Sequence, residues 1–462
     1  MHDITQNLEK IGISIDSILL PKENVDMTRW AVIACDQYTS EPEYWAEVNR
    51  FVSSEPSTLR LIYPEVYLDK DTNEDKLKRI ESIHATMNSY LQKELFNPVA
   101  GPILIERTSN DGKIRIGVMV ALDLDMYQFE AGSQSLIRAT EGTIVDRLPP
   151  RVRIRENASL ELPHIMVLID DPDFSVIEPM YEHLMSNPTL SNKDKIYHFE
   201  LMQNSGFLRG WNILSEKQLG AFAAALTKLA DQDDFRSRYQ LDSDSDVLLY
   251  AVGDGNHSLA TAKMCWENIK KTSSKKELIN HPAKYALVEL VNIHNKGLLF
   301  EPIHRVLFHV STEDWKRYFI DWHKNKLINV HIEPYTSLED ALYAQKKQTT
   351  AHDQKVILVS ENGYDMLVWD NPIHELAVGS LQSFLDEYIA VKSETKIDYL
   401  HGNETTIRLG SKKENLGFLL PDIQKESFFP TVIKNGSLPR KTFSMGEAHE
   451  KRFYVECRKI KR

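Results

Sequence analysis

The sequence predicts an α+β protein, a mixed-sheet core with an additional α/β module. Two observations carry that expectation. Apolar runs of strand length, such as "SDVLLYAV", are bounded by turn residues, and they alternate with longer stretches whose apolar residues recur at helical spacing. A chain of 462 residues with 42% hydrophobic and 26% charged content can bury a large core, in two or more domains or one elaborated body.

In chain order, "RWAVIAC" (29–35) reads as a buried strand, and "SEPEYWAEVNRFVSS" spaces Tyr44, Trp45, Val48 and Phe51 as a helix behind a Ser/Glu start. Residues 73–95 form the clearest early helix, with Leu77, Ile80, Ile83, Met87, Tyr90 and Leu91 on one side. "GPILIERT" and "KIRIGVMVALDL" flank the turn signal "SNDG" and predict a hairpin, followed by a strand in "PHIMVLIDD". Residues 175–203 and 215–231 read as helices around the strand-like "SGFLRGWNI". "KYALVELVNI" is a strand, and "LLFEPIHRVLF" an extended run interrupted by Pro302.

From 312 to 390, helices ("TEDWKRYFIDWHKNK", "LEDALYAQKKQ", "LQSFLDEYIA") alternate with strands ("KVILVS", "DMLVWD"), and a helix around 421–435 follows "LGFLLP". The expected division is a mixed-sheet core at 1–310 holding a nucleotide or phosphate site, an α/β module at 311–395, and a C-terminal segment at 396–462 that returns to the core.

A net charge of −12 and a pI near 5.8 argue against a surface built for nucleic-acid phosphates, while leaving room for one small basic pocket. Cys35, Cys265 and Cys457 form neither a disulfide framework nor a zinc pattern, which fits a reducing cytoplasm. The N-terminal stretch lacks a basic start and an apolar core, and no run of eighteen apolar residues occurs, so neither secretion nor a membrane is expected.

The richest chemical signal is "YAVGDGNHSLATAK" (250–263), an apolar strand that turns into a helix. Gly253 and Gly255 bracket Asp254, and Asn256, His257 or Ser258 can cap the helix. The segment is either a structural turn or one whose helix N–H groups face an anion. Matching neither the dinucleotide fingerprint nor the P-loop, it gains weight from four polar side chains at a strand end, where ligands collect.

Three further strings add charge. In "LIRATEGTIVDRL", Arg138 and Glu141 lie three apart, as an exposed ion pair or as site residues. In "PPRVRIREN", Arg151, Arg153 and Arg155 alternate along an expected strand, to be neutralised by phosphate or by the acidic remainder of the protein. In "EPIHRVLF", His304 is either structural or a ligand contact beside Arg305. Together they supply the residue types of phosphoryl transfer. Asp254 would face magnesium, His257 and the adjacent N–H groups would hold phosphate oxygens, and Glu141 would take a proton from an alcohol.

The strings "RATEGT", "GDGNHSLATA", "YALVELVNIHNKGLLFEPIHR", "IDYLHGNE", "LGFLLP" and "NGSLPRKTF" occur in the order of motifs of a large bacterial family of unknown function. The chain resembles that family from about residue 30 onward. Through it the chain is similar to the ParB/sulfiredoxin-like superfamily, which includes free serine kinases. The resemblance implies a ParB/sulfiredoxin-like core, ATP or ADP (or another nucleotide) with Mg2+, and a small serine-like metabolite as phosphoryl acceptor.

Position by position, it implies Glu141 as base, with Arg138 before it. Asp254 and Gly255 open the phosphate loop, in which His257 matches the second histidine. His304, Arg305 and Lys441 match the later basic positions, implied to touch substrate. Thr140 stands where the family has histidine, Asn256 where it has the first loop histidine, Ser258 where it has arginine, and Thr442 where it has serine. Losing the loop arginine removes a bidentate phosphate clamp, for which Arg153 or Arg155 is the available replacement. The resulting expectation is a cytoplasmic small-molecule kinase, monomeric or homo-oligomeric. The alternative is a nucleotide-sensing module without turnover.

Overall fold

The computed structural model describes all residues except 1, 16, 69, 143–147, 243–244 and 348–352. The chain divides into two compact units, Met1–Leu298 with Gly446–Arg462, and Leu299–Met445. The second unit is wider than the 311–395 module expected from sequence. Its strand Phe300–Phe308 pairs with Lys396–His401, Asn415–Leu419 and Phe443–Met445, and that backbone pairing draws in both flanks.

The first unit is built on a mixed sheet of ten strands among the described residues. The expected hairpin is present: Ile103–Thr108 and Ile114–Asp123 pair antiparallel across the "SNDG" turn. Side chains alternate across the pleat. Val118, Val120 and Leu122 join a core with Val167, Val288, Leu290 and Trp266, while Met119 faces the opposite side with Ile105, Leu287 and Tyr454. Helix Asn256–Thr272 contributes Leu259, Ala262 and Trp266 to the first of these cores.

One arrangement of strands positions the site. Ile137–Ala139 and Tyr250–Asp254 run parallel side by side, and Tyr250–Asp254 pairs antiparallel with Met166–Ile169, so that Met166 lies opposite Asp254. The ends of the first two strands and the start of the third therefore share one edge of the sheet.

The second unit holds an antiparallel sheet of seven strands among the described residues, with Phe300–Phe308 between Asn415–Leu419 and Lys396–His401. Helices Thr312–Asn325 and Ala377–Val391 cover it with an aromatic core of Trp315, Phe319, Trp369 and Phe384.

Three sequence expectations are corrected. Residues 29–35 are a short helix, Met27–Trp30, followed by the two-residue strand Val32–Ile33, because Asp26 caps the helix by accepting from Thr28 and Arg29 N–H. The helix expected over 175–203 stops at Asp194, and Lys195–Glu200 is an edge strand paired with Phe207–Asn212. Finally, "PPRVRIR" is not a strand with three guanidinium groups on one face. It lies within the helix Leu148–Arg155.

Candidate functional site

Gly255 is the N-cap of the 17-residue helix Asn256–Thr272, with φ 81° and ψ 26° and no capping side chain. Its conformation is left-handed, and an added Cβ would lie 3.0 Å from Ile165 Cα, so both backbone angle and space require glycine. The expectation that Asn256, His257 or Ser258 caps the helix is thereby corrected: each sits within the helix instead. The first-turn N–H groups of a helix have no intrahelical acceptor, and the dipole adds partial positive charge there.

Asn256 instead reaches across to the neighbouring strand end. Its Oδ1 accepts from Thr140 N–H at 3.1 Å, its Nδ2 donates to Thr140 Oγ1 at 3.4 Å, and Thr140 Oγ1 donates to the Val252 carbonyl at 2.5 Å. Half-buried Glu141 follows Thr140 directly, as half-buried His257 follows Asn256, so these two flank a hydrogen-bonded pair; residues 143–147 beyond them lie outside the described residues.

Asp254 is bound on both oxygens. Oδ1 accepts from Gly255 N–H at 2.9 Å, and Oδ2 pairs with Lys451 Nζ at 3.0 Å. Ser258 Oγ lies 3.1 Å from His164 Nε2, and His164 Nδ1 lies 2.8 Å from the Tyr454 hydroxyl. That hydroxyl accepts from Cys35 N–H at 3.2 Å, and Asp36 Oδ2 stands 3.9 Å from His164 Nε2. Burial works to raise the Asp36 carboxyl, but His164, the Gln37 hydrogen bond and Lys451 outweigh it and hold the group below its ordinary range. Burial first, then Asp36 and Glu65, pushes the Cys35 thiol well up, so it stays protonated.

Of the arginines expected at the site, Arg138, Arg151 and Arg155 are engaged elsewhere. Arg138 is 2% exposed and donates to the carbonyls of Ser135 and Asp246, while burial lowers its pKa to about 10. Arg151 pairs with Glu65, and Arg155 pairs with buried Glu161 at 2.5 Å. Arg153, on the same helix, is exposed. Gly253 lies within the strand that ends at Asp254.

His304, Arg305 and Lys441 belong to the second unit. His304 Nδ1 accepts from Leu420 N–H at 3.1 Å. Arg305, fully buried, donates to Gln382 Oε1 and to the carbonyls of Ile303 and Arg440. Lys441 is an exposed residue with φ 54°.

Sequence reasoning missed Asp36, His164, Lys451 and Tyr454. Only "ELPHIM", a histidine just ahead of a strand, carried a local hint. An open cavity of about 610 Å3 lies farther along the same helix, between Phe129, Glu130, Lys263 and Glu267. Lys263 and Glu267 pair with each other there, and the lining has no histidine or aspartate, so the strand ends remain the better candidate. Among the described residues no group of three or more His, Cys, Asp or Glu side chains is placed to hold a metal ion. No helix among the described residues is long and apolar enough to cross a membrane.

These features define an α+β protein with a polar strand-turn-helix site at one edge of a mixed sheet. The chain belongs to the family described as "Protein of unknown function (DUF1015)", which matches residues 17–388. No curated protein matches it significantly. Among solved structures it is similar to a point mutant of free serine kinase in complex with AMP, with 12% identity, 77% of this chain and 93% of that chain covered, and a TM-score of 0.37. A second mutant of free serine kinase, in complex with ADP, gives 12% identity, coverage of 77% and 95%, and a TM-score of 0.37. A conserved hypothetical protein from Pyrococcus furiosus gives 16% identity, coverage of 51% and 88%, and a TM-score of 0.29.

Proposed function

We propose that the protein is a cytoplasmic, nucleotide-dependent phosphotransferase that passes a phosphoryl group from ATP to the hydroxyl of a small, serine-like metabolite. The observation that carries this reading is the Thr140–Asn256 hydrogen bond. It holds the residue before Glu141 against the first turn of helix Asn256–Thr272, at the carboxyl ends of two parallel strands. A carboxylate and an anion-attracting helix start are the two groups that this reaction needs side by side.

Glu141 takes the proton of the acceptor hydroxyl as its oxygen bonds to the γ-phosphorus, and the bridging bond to the β-phosphate breaks to release ADP. The backbone N–H groups of 256–258 and the His257 side chain would hold phosphate oxygens, and Asp254 would hold a magnesium ion carried by the nucleotide. Magnesium supplies charge neutralisation between phosphates. The Asp254–Ser258 turn is the segment that would bind phosphate in a ParB/sulfiredoxin-like superfamily member.

The test is incubation with ATP, ADP or CTP and a pool of small hydroxyl compounds, read by mass spectrometry. A phosphorylated metabolite that vanishes in Glu141→Gln, with nucleotide binding retained, supports the assignment. Thermal stabilisation by nucleotide without product would favour the sensing module. No nucleotide-induced shift at all would remove both.

A further inference from the structure

We propose that Lys451, brought to the turn by the C-terminal segment, is the cation that holds the ligand's phosphate, in place of the arginines that the sequence offered. This rests on the phosphate-binding part of the reading above and goes beyond it by naming the group that neutralises the phosphate charge.

Of the arginines that the sequence offered, Arg138 is turned to backbone carbonyls, Arg151 to Glu65 and Arg155 to Glu161, while Arg153 is exposed on the helix that carries Arg151 and Arg155. Lys451, 7% exposed, reaches Asp254 at the last residue before the N-cap of helix Asn256–Thr272. An ammonium has three donors and no fixed fork, so it can keep one carboxylate contact while turning the others toward a new anion.

The pairing also compensates the charge of the largely buried Lys451 ammonium. Asp254 and Lys451 cancel each other's charge. When a phosphate arrives with its divalent cation, Lys451 exchanges carboxylate for phosphate and Asp254 exchanges ammonium for metal, leaving no charge unpaired. His164 is the second donor. Its ring stands beside the same turn, with Nε2 3.1 Å from Ser258 Oγ and 3.9 Å from Asp36 Oδ2, and Nδ1 2.8 Å from the Tyr454 hydroxyl.

This arrangement sets a sign that a purely structural ion pair would not produce. Asp254 competes with phosphate for Lys451 when no metal is present and assists phosphate when metal is present. The experiment is calorimetric titration of tripolyphosphate into the full-length protein, with EDTA or with Mg2+, for the parent, Lys451→Met, Lys451→Arg, Asp254→Asn and the Asp254→Asn/Lys451→Met double variant.

The expected result is at least tenfold weaker binding in Lys451→Met under both conditions and substantial recovery in Lys451→Arg. Asp254→Asn should bind several-fold more tightly than the parent in EDTA and several-fold more weakly in Mg2+. If Lys451→Met alone fails to fold, the double variant, which removes both members of the ion pair, carries the comparison against Asp254→Asn. Binding by the lysine-free variant within twofold of its lysine-containing counterpart overturns the proposal, as does no binding by the parent or an Asp254→Asn effect of the same sign under both conditions. Lysine-dependent binding with no phosphorylated product from ATP would leave this inference standing and remove only the phosphotransferase reading.

Discussion

Thr140 and Asn256, 116 positions apart, are joined by a hydrogen bond of 3.1 Å from Thr140 N–H to Asn256 Oδ1. The bond joins two strand ends and sets the distance between the Glu141 backbone and the Asp254–Ser258 turn. Replacing Thr140 by Val keeps the shape and removes the hydroxyl that donates to the Val252 carbonyl and accepts from Asn256 Nδ2. Asn256 Nδ2 also reaches the Val252 carbonyl at 3.4 Å, so losing the hydroxyl bonds should cost about 1 kcal/mol, read as a lower urea midpoint, with weaker nucleotide binding.

Glu141→Gln should lower turnover by a hundredfold or more, on the order of 10²–10⁴ for a lost general base, while nucleotide affinity stays within a few-fold of the parent. Equal turnover in the variant would assign the proton transfer to another group. The measurement is product formation and nucleotide titration on the same preparations.

A buried ionic cluster beneath the C-terminal segment gives a stability prediction. Glu289 pairs with Arg115 Nε at 3.2 Å and with Arg452 Nε at 3.0 Å, and Arg452 also pairs with Glu456 at 2.6 Å. Glu289→Ala leaves two guanidinium groups facing a void and should cost about 3–5 kcal/mol. Gly117→Ala would place its Cβ 2.7 Å from Glu289 Oε1 and should cost about 1–3 kcal/mol. Because the two changes act on the same side chain, the glycine variant should be nearly neutral in the Glu289→Ala background, which a double-mutant cycle measures.

Acid should weaken both units, in different windows. In the second unit, burial above all lowers His304 and His323 to about 4 each, from an ordinary 6.5. His323 is locked neutral: Nδ1–H donates to the Phe319 carbonyl at 2.8 Å, and Nε2 accepts from Trp369 Nε1 at 2.9 Å. Between those two pH values the unfolded chain binds protons that the folded chain refuses, so stability falls as pH drops from 6.5 toward 4, by at most about 3 kcal/mol for each histidine.

In the first unit, burial raises Glu161 and Glu289, but the arginines beside each outweigh it and leave both below 4.5. Their contribution is complete above that ordinary value and is lost as pH falls through the lower folded value. Urea titrations across pH 7 to 3 should show the second unit weakening first, and His323→Leu should flatten its slope above pH 4. An unchanged slope in that variant would place the proton uptake elsewhere.

Local pattern alone determined much of this protein. The alternation in "GPILIERT" and "KIRIGVMVALDL" around "SNDG" specified a hairpin, and the two glycines around Asp254 specified a strand turning into a helix. Both are present because the physics that shapes them acts within about a dozen residues. The arginines of "PPRVRIR" invite a strand reading because seven residues with little apolar periodicity fit strand and helix about equally. The decision fell to buried partners such as Glu161.

What tertiary structure alone decided is the composition of the site. Lys451 and Tyr454 lie about two hundred positions beyond the turn, and Asp36 a similar distance before it. Their charges and hydrogen bonds act over a few ångströms of space, to which separation along the chain is no guide. The sequence presents a turn able to receive an anion. Folding determines that Asp254 meets a lysine there, that Ser258 meets an imidazole, and that Arg138, Arg151 and Arg155 are spent on other partners.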